Sequence, residues 1–265
     1  MDIRKQGMWL VFLLAVPAVA LGQQSRYGRQ ADGAVMHGAA EQLFALANQA
    51  RAEAGAPELK WDSALAVAAL RHCERMAAEG PIAHRYGGEM SLTERAGAAG
   101  AHFSLIEENV AVGAYPAQIH DGWMHSTEHR KNLLNPEVNR VGIGVVESHG
   151  ALYAVEDFER FVEVLSAAEV EAQVESLIRV SGIRIRREHG DARAACTMNQ
   201  GLPARLTGGE PMFVMRWQSA DLSQLPRQLA ERLGGGRFRM AEVGACPAHS
   251  AENSFTVYRV AVLLY

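Results

Sequence analysis

The chain has 265 residues, a formal net charge of −4 and a hydrophobic fraction of 48%. That is ample apolar material for one or two cored domains. Charged residues make up 21% and form no concentrated basic stretch, which argues against nucleic acid as a partner class.

In chain order, MDIRK supplies a basic start and MWLVFLLAVPAVA an apolar run, with small residues just before Gln23. This pattern predicts a cleaved signal peptide over residues 1–22 and a secreted or periplasmic destination. The apolar run is short for a membrane span, and no later run approaches that length, so no span is expected after cleavage. QQSRYGRQADGA is polar and glycine-containing, and residues 23–36 are expected to be a flexible leader. Leu43, Leu46, Ala47, Ala50 and Ala54 then recur at helical spacing up to Gly55. Asp62 is placed to cap a second helix with an inner face of Leu65, Ala69, Cys73 and Met76, ended by Gly80-Pro81. Ser91 and Glu94 form a capping box for a short third helix, and Pro116 suits the first turn of a fourth.

The texture changes at Val141. VGIGVVE and ALYAVEDF, joined by SHG, read as a β-hairpin. Gly142 and Gly144 alternate with bulky residues, so one face of that strand admits a close backbone approach. From about residue 161 a second unit is expected. Ser166 and Glu169 cap a helix carrying Val170, Val174, Leu177 and Ile178, and IRIRR, PMFVMRW, RFRMAEV and SFTVYRVAVLLY read as strands. A helix over DLSQLPRQLAERL lies between the second and third of these. The order implies a small α+β domain over 161–265, and no internal repeat is visible in the residues. Export permits disulfides. Of three cysteines, Cys196 and Cys246 share this unit and are expected to pair, which leaves Cys73 as a small core residue.

Ten histidines are present. His37, His72, His102, His149, His189 and His249 lack a partner pattern and read as scattered surface residues. His84, His120, His125 and His129 remain. The segment HSTEH, residues 125–129, spells a zinc-peptidase signature, in which His125 and His129 would share a helix face with Glu128 as base. The context argues against it: Pro136 and the glycine-rich strand follow within a dozen residues, and no second long helix brings an acidic ligand. Ser126 lies near His129 but in no nucleophile-elbow sequence. Trp61, Tyr115, Trp123 and Met124 are candidates for a groove lining, with core packing the simpler account.

A wider window holds LANQAR (46–51), LKWDSALAVAALRHC (59–73), IAHR (82–85), ENVAVG (108–113) and GWMHSTEHRKNLLNPEVNRVGIGV (122–145). This ordered set resembles the CAP superfamily of cysteine-rich secretory, antigen 5 and pathogenesis-related proteins, in its bacterial SCP-like branch, over about residues 40–160, and the domain is expected over 37–160. The resemblance implies a three-layer α-β-α sandwich with a central cleft, followed here by the α+β module. It also implies a cleft built on His84, Glu108 and His129. The family's other glutamate falls at Ser126, so three of four members are present. On that footing HSTEH is a chance spelling, and His84 and His129 are the expected ligands of a weakly held divalent metal such as zinc. The implied function is binding of a protein, lipid or cell-envelope ligand. A metal-dependent hydrolase using the same three residues as catalytic candidates is the alternative.

Overall fold

The computed structural model describes residues 21–247 and 255–265, with side chains from Gly38 onward. The signal-peptide segment lies outside them except for Leu21 and Gly22, which open the first helix. That helix, α1, runs Leu21–Ala54. The backbone of residues 23–36 is therefore helical where an irregular leader was expected; the stretch contains no proline to interrupt the hydrogen-bond ladder.

The first unit continues with β1 (Lys60–Trp61), α2 (Ser63–Glu79), α3 (Leu92–Ala99), β2 (Phe103–Gly113), α4 (Pro116–His125), α5 (Thr127–Leu134), β3 (Arg140–Ser148) and β4 (Ala151–Phe161). The local signals act as expected. The Asp62 carboxylate accepts the amides of Ala64 and Leu65 at the start of α2, and both halves of the Ser91/Glu94 box are formed at α3. His149 and Gly150, both at positive φ, make the two-residue turn between β3 and β4. The sheet order is β1-β3-β4-β2, with β1 parallel to β3 and the rest antiparallel. On one face, α2 packs Ala69, Cys73 and Met76 against Val110 and Val155. On the other, α1, α4 and α5 bring Leu43, Ala47, Ile119, Trp123 and Leu133 onto Ile143, Ala154 and Phe158. This is the expected three-layer α-β-α sandwich.

One buried cation ties the second layer together. The Arg51 guanidinium, fully buried at the end of α1, donates to the carbonyls of Pro57, Leu133, Asn135 and Val138. Its charge is spread over four backbone acceptors, which fixes the C-terminal end of α5 against α1.

The second unit contains α6 (Ala167–Arg179), β5 (Arg184–Ile185), α7 (Gly190–Cys196), β6 (Phe213–Ser219), α8 (Arg227–Gly234), β7 (Met240–Cys246) and β8 (Tyr258–Leu264). Its sheet order is β5-β7-β8-β6, again with one parallel pair, β5 to β7, and two antiparallel pairs. This is the topology of the first unit over again. The layers match too: α7 covers one face with Ala192, Ala195 and Cys196, while α6 and α8 cover the other with Val174, Ile178, Leu229 and Leu233.

The match holds at single residues. A Cβ on Gly144 would lie 2.3 Å from the Leu70 amide nitrogen of α2, and one on Gly244 would lie 2.2 Å from the Arg193 nitrogen of α7. Gly144 stands opposite Val155, and Gly244 opposite Ala261. Cys73 Sγ, which donates to the Gly144 carbonyl (3.0 Å), also lies 3.6 Å from the Tyr153 carbonyl, and Cys196 Sγ lies 3.4 Å from the Arg259 carbonyl, two residues before the glycine's partner in each case. Cys196 is bonded to Cys246, while Cys73 is buried and free. The chain thus contains a structural repeat that its residues do not display.

Glycine is required where the helix backbone lies on the strand. Gly144→Ala and Gly244→Ala should each destabilise by at least about 1–3 kcal/mol, since backbone rather than a mobile side chain is in the way. Gly87→Ala, with open space around it, should stay within about 0.5 kcal/mol of the wild type. Urea unfolding of the three variants measures this.

Candidate functional site

The site forms at the edge strand β2. Glu108 stands opposite Asp157, and Asp157 opposite Gly142, whose missing side chain faces α2, so Glu108 points into the α2 layer. The next residue, Asn109, points the other way, toward α5. Its side-chain amide donates to the His129 carbonyl (3.1 Å), and Asn132 donates both to the Glu108 carbonyl (3.2 Å) and to Asn109 Oδ1 (3.1 Å). These bonds hold the start of α5, and with it His129, along the β2 edge.

Glu108 is buried and its two oxygens are used separately. Oε1 faces His84 Nδ1 at 2.7 Å, and Oε2 accepts from the Arg95 guanidinium of α3. Arg95 also donates to the carbonyl of His84 (3.2 Å), so it fixes both the carboxylate and the loop that carries the imidazole. Behind them His72, fully buried, has Nδ1 against Glu89 (2.6 Å) and Nε2 against the Ala83 carbonyl (2.9 Å), one residue before His84. The Glu89 carboxyl is held below its usual range. Burial opposes this, but the Tyr86 amide and the His72 ring outweigh it.

The two imidazoles are tuned apart. The hydrogen bond that His84 donates to Glu108 raises the His84 pKa, against a smaller effect of burial. Burial lowers that of His129, and the nearby His84 lowers it further. The structure thus joins His84 to Glu108 and sets His129 near enough to feel the charge of His84. With Nδ1 engaged by Glu108, His84 Nε2 is the nitrogen left for a ligand. Among the described residues no three His, Cys, Asp or Glu side chains gather as a metal cage, so a cation here would have two imidazoles and solvent. His84 Nε2 and the His129 ring are the nitrogens that could be offered to a cation.

The structure also places the other residues that the sequence singled out. His125 ends α4 and His129 lies in α5; between them Ser126 adopts an extended backbone conformation. The two histidines do not share a helix face, and His125 is exposed beside Asp121, so the peptidase spelling has no geometric basis. The Ser126 hydroxyl makes no capping bond, and the residue marks a break between helices. The four groove candidates do not form one groove. Trp123 is core, donating to the Val110 carbonyl (3.2 Å), and Tyr115 is exposed. Trp61 lines a separate cavity of about 490 Å³ with Phe44 and Ala66. His72 is no surface residue. Its place on the inner face of α2, three after Ala69 and one before Cys73, was the signal for burial.

An α-β-α sandwich with a histidine–glutamate pair and a second histidine at one sheet edge defines the class. Within it, residues 44–161 match the cysteine-rich secretory protein family, CAP, and this segment is a CAP domain. A stretch of 110 residues is 34% identical to an uncharacterized membrane protein of Bacillus subtilis, YlbC, covering 40% of this chain and 31% of that one. Another of 112 residues is 30% identical to the uncharacterized protein YkwD of the same organism, covering 41% and 42%. The match thus spans less than half the length of either relative. A solved extracellular SCP-domain protein from Bacillus anthracis is 29% identical, with a TM-score of 0.45, over 48% of this chain and 41% of that one.

In an NMR pH titration His84 should titrate above the ordinary histidine value of 6.5 and His129 below it. Glu108→Gln should bring His84 down. Because the folded-state pKa of His84 is raised, its stabilising contribution is full below about 6.5 and fades as pH rises through the raised value. His129 acts in the opposite sense, disfavouring the fold as pH falls below about 6.5.

Proposed function

We propose that this is an exported CAP-domain binding protein whose cleft takes up a divalent cation, zinc foremost, on His84 and His129. The observation that carries the reading is the 2.7 Å contact between Glu108 and His84 Nδ1, since a carboxylate on one ring nitrogen fixes the tautomer that offers the other. Two imidazoles without a third protein ligand give modest affinity and leave coordination positions for a ligand's oxygen or nitrogen atoms. His129, easily neutral, is ready to ligate; His84 must first give up the proton that Glu108 favours. Export is supported by the basic-then-apolar start of the chain and by the Cys196–Cys246 disulfide, a bond that persists in oxidising compartments. No described helix is long and apolar enough to cross a membrane.

Calorimetric zinc titration tests the reading. Binding should be weak in the wild type, lost in His84→Ala and in His129→Ala, and about 10–100-fold weaker in Glu108→Gln. It should also weaken with acidification as protons compete for the rings. Unchanged binding in both alanine variants removes the cation from the cleft. Denatured protein and peptidoglycan, offered with zinc and with chelator, test the hydrolase alternative. Turnover abolished by His129→Ala would make the cleft a catalytic centre instead.

A further inference from the structure

The first unit buries acidic side chains that its fold does not require. Glu156, Asp157 and Glu159 of β4 are fully buried, and none of their carboxyl oxygens has a hydrogen-bond partner in the structure. An unpartnered polar group in a protein interior costs stability. The second unit acts as an internal control. Aligned on Gly144 and Gly244, the cross-strand row Gly142–Asp157–Glu108 corresponds to Glu242–Leu263–Val214. Glu156 and Asn109 correspond to Val262 and Met215. Where the second unit does bury an acid in this row, it is satisfied: Glu242 accepts the Ala192 amide of α7 (2.9 Å) and lies 3.3 Å from the Tyr265 hydroxyl. The same scaffold therefore closes with leucine at the Asp157 position and valine at the Glu108 position.

Asp157 differs from its two acidic neighbours on β4 in what stands opposite. It is the cross-strand partner of Glu108, on the same face of the sheet, where side chains of paired residues meet. The groups around it are Glu108 from β2, Arg95 from α3 and the Cys73 thiol from α2, while Gly142 of β3 presents no side chain. Arg95 donates through one terminal nitrogen to Glu108, while its Nε has no partner; its charge favours an ionised Asp157, but less than the charge of Glu108 opposes it. We propose that Asp157 is a positioning residue of the cleft: as a neutral carboxylic acid it donates a hydrogen bond to Glu108 and holds that carboxylate in place for His84. The donated proton satisfies an otherwise unpaired buried hydroxyl and adds a third contact to Glu108. Burial, and next the charge of Glu108, push the Asp157 pKa well up, in keeping with the neutral form. The role rests on Glu108 and His84 being the functional pair, but not on any metal.

The test uses metal-free full-length protein. Infrared difference spectra of wild type against Asp157→Asn at neutral pH should show a protonated-carboxyl C=O band lost in the variant. The contributions of Glu156 and Glu159 cancel. A second readout is the His84 imidazole resonance. Asp157→Asn keeps a neutral N–H donor and should leave it near its wild-type position, whereas Asp157→Leu, the residue of the second unit, fills the space without donating and should shift it. A difference spectrum with no lost acid band overturns the proposal. So does a folded Asp157→Leu protein whose His84 resonance is unmoved. If Asp157→Leu fails to fold, the infrared comparison and the Asn variant still decide. Because neither readout involves zinc, failure here and failure of zinc binding are separately visible.

Discussion

The organisation of the cleft depends on one buried carboxylate. Glu108 is held by the Arg95 guanidinium on one oxygen and the His84 ring on the other, and each partner comes from a different piece of chain. Removing Arg95 would strand a charge in the interior, and removing Glu108 would strand the arginine, a loss typically of about 3–5 kcal/mol for a buried pair. The loop around His84 has little regular structure of its own. It is ordered by Arg95 and His72, which bond to the backbone carbonyls of His84 and Ala83. The His84 imidazole, on a loop, is thus held by buried hydrogen bonds rather than by secondary structure.

The repeat separates scaffold from site. Both units use a short parallel edge strand, three further antiparallel strands in the same crossed order and a helix lying directly on a strand glycine. The first has the longer connection, residues 80–102, between the face-covering helix and the edge strand. That connection carries His84, Glu89 and Arg95. In the second unit the equivalent connection, residues 197–212, carries no histidine and meets apolar strand positions. The chemistry was added to a framework that stands without it, which is why the polar residues of β2 and β4 read as costs until the cleft is considered.

Much of this was legible along the chain, for identifiable reasons. Asp62, Ser91 and Ser166 stop and start helices through contacts within three residues, so sequence distance and physical distance coincide. The hairpin at His149–Gly150 is equally local. His84, Glu108 and His129 were reached through the ordered motif set, since nothing in their spacing says that they meet. The strand β2 was missed because Glu107, Glu108 and Asn109 interrupt its apolar pattern, the polar face being the site itself. His72 and Arg95 were missed because a buried polar group is recognised by its partner, and Glu89 and Glu108 lie 17 and 13 positions away. The repeat was invisible because packing conserves volume and register while Asp157 and Leu263 share neither charge nor polarity.

The two units also differ in where covalent chemistry lies. The disulfide joins α7 to the end of β7, wholly within the half that has no cleft, and its counterpart in the first half is a single sealed thiol on α2. Passage from oxidising to reducing surroundings would therefore slacken the C-terminal half alone. The histidine edge, which depends on no sulfur bond, would stay as built while its neighbour loosened.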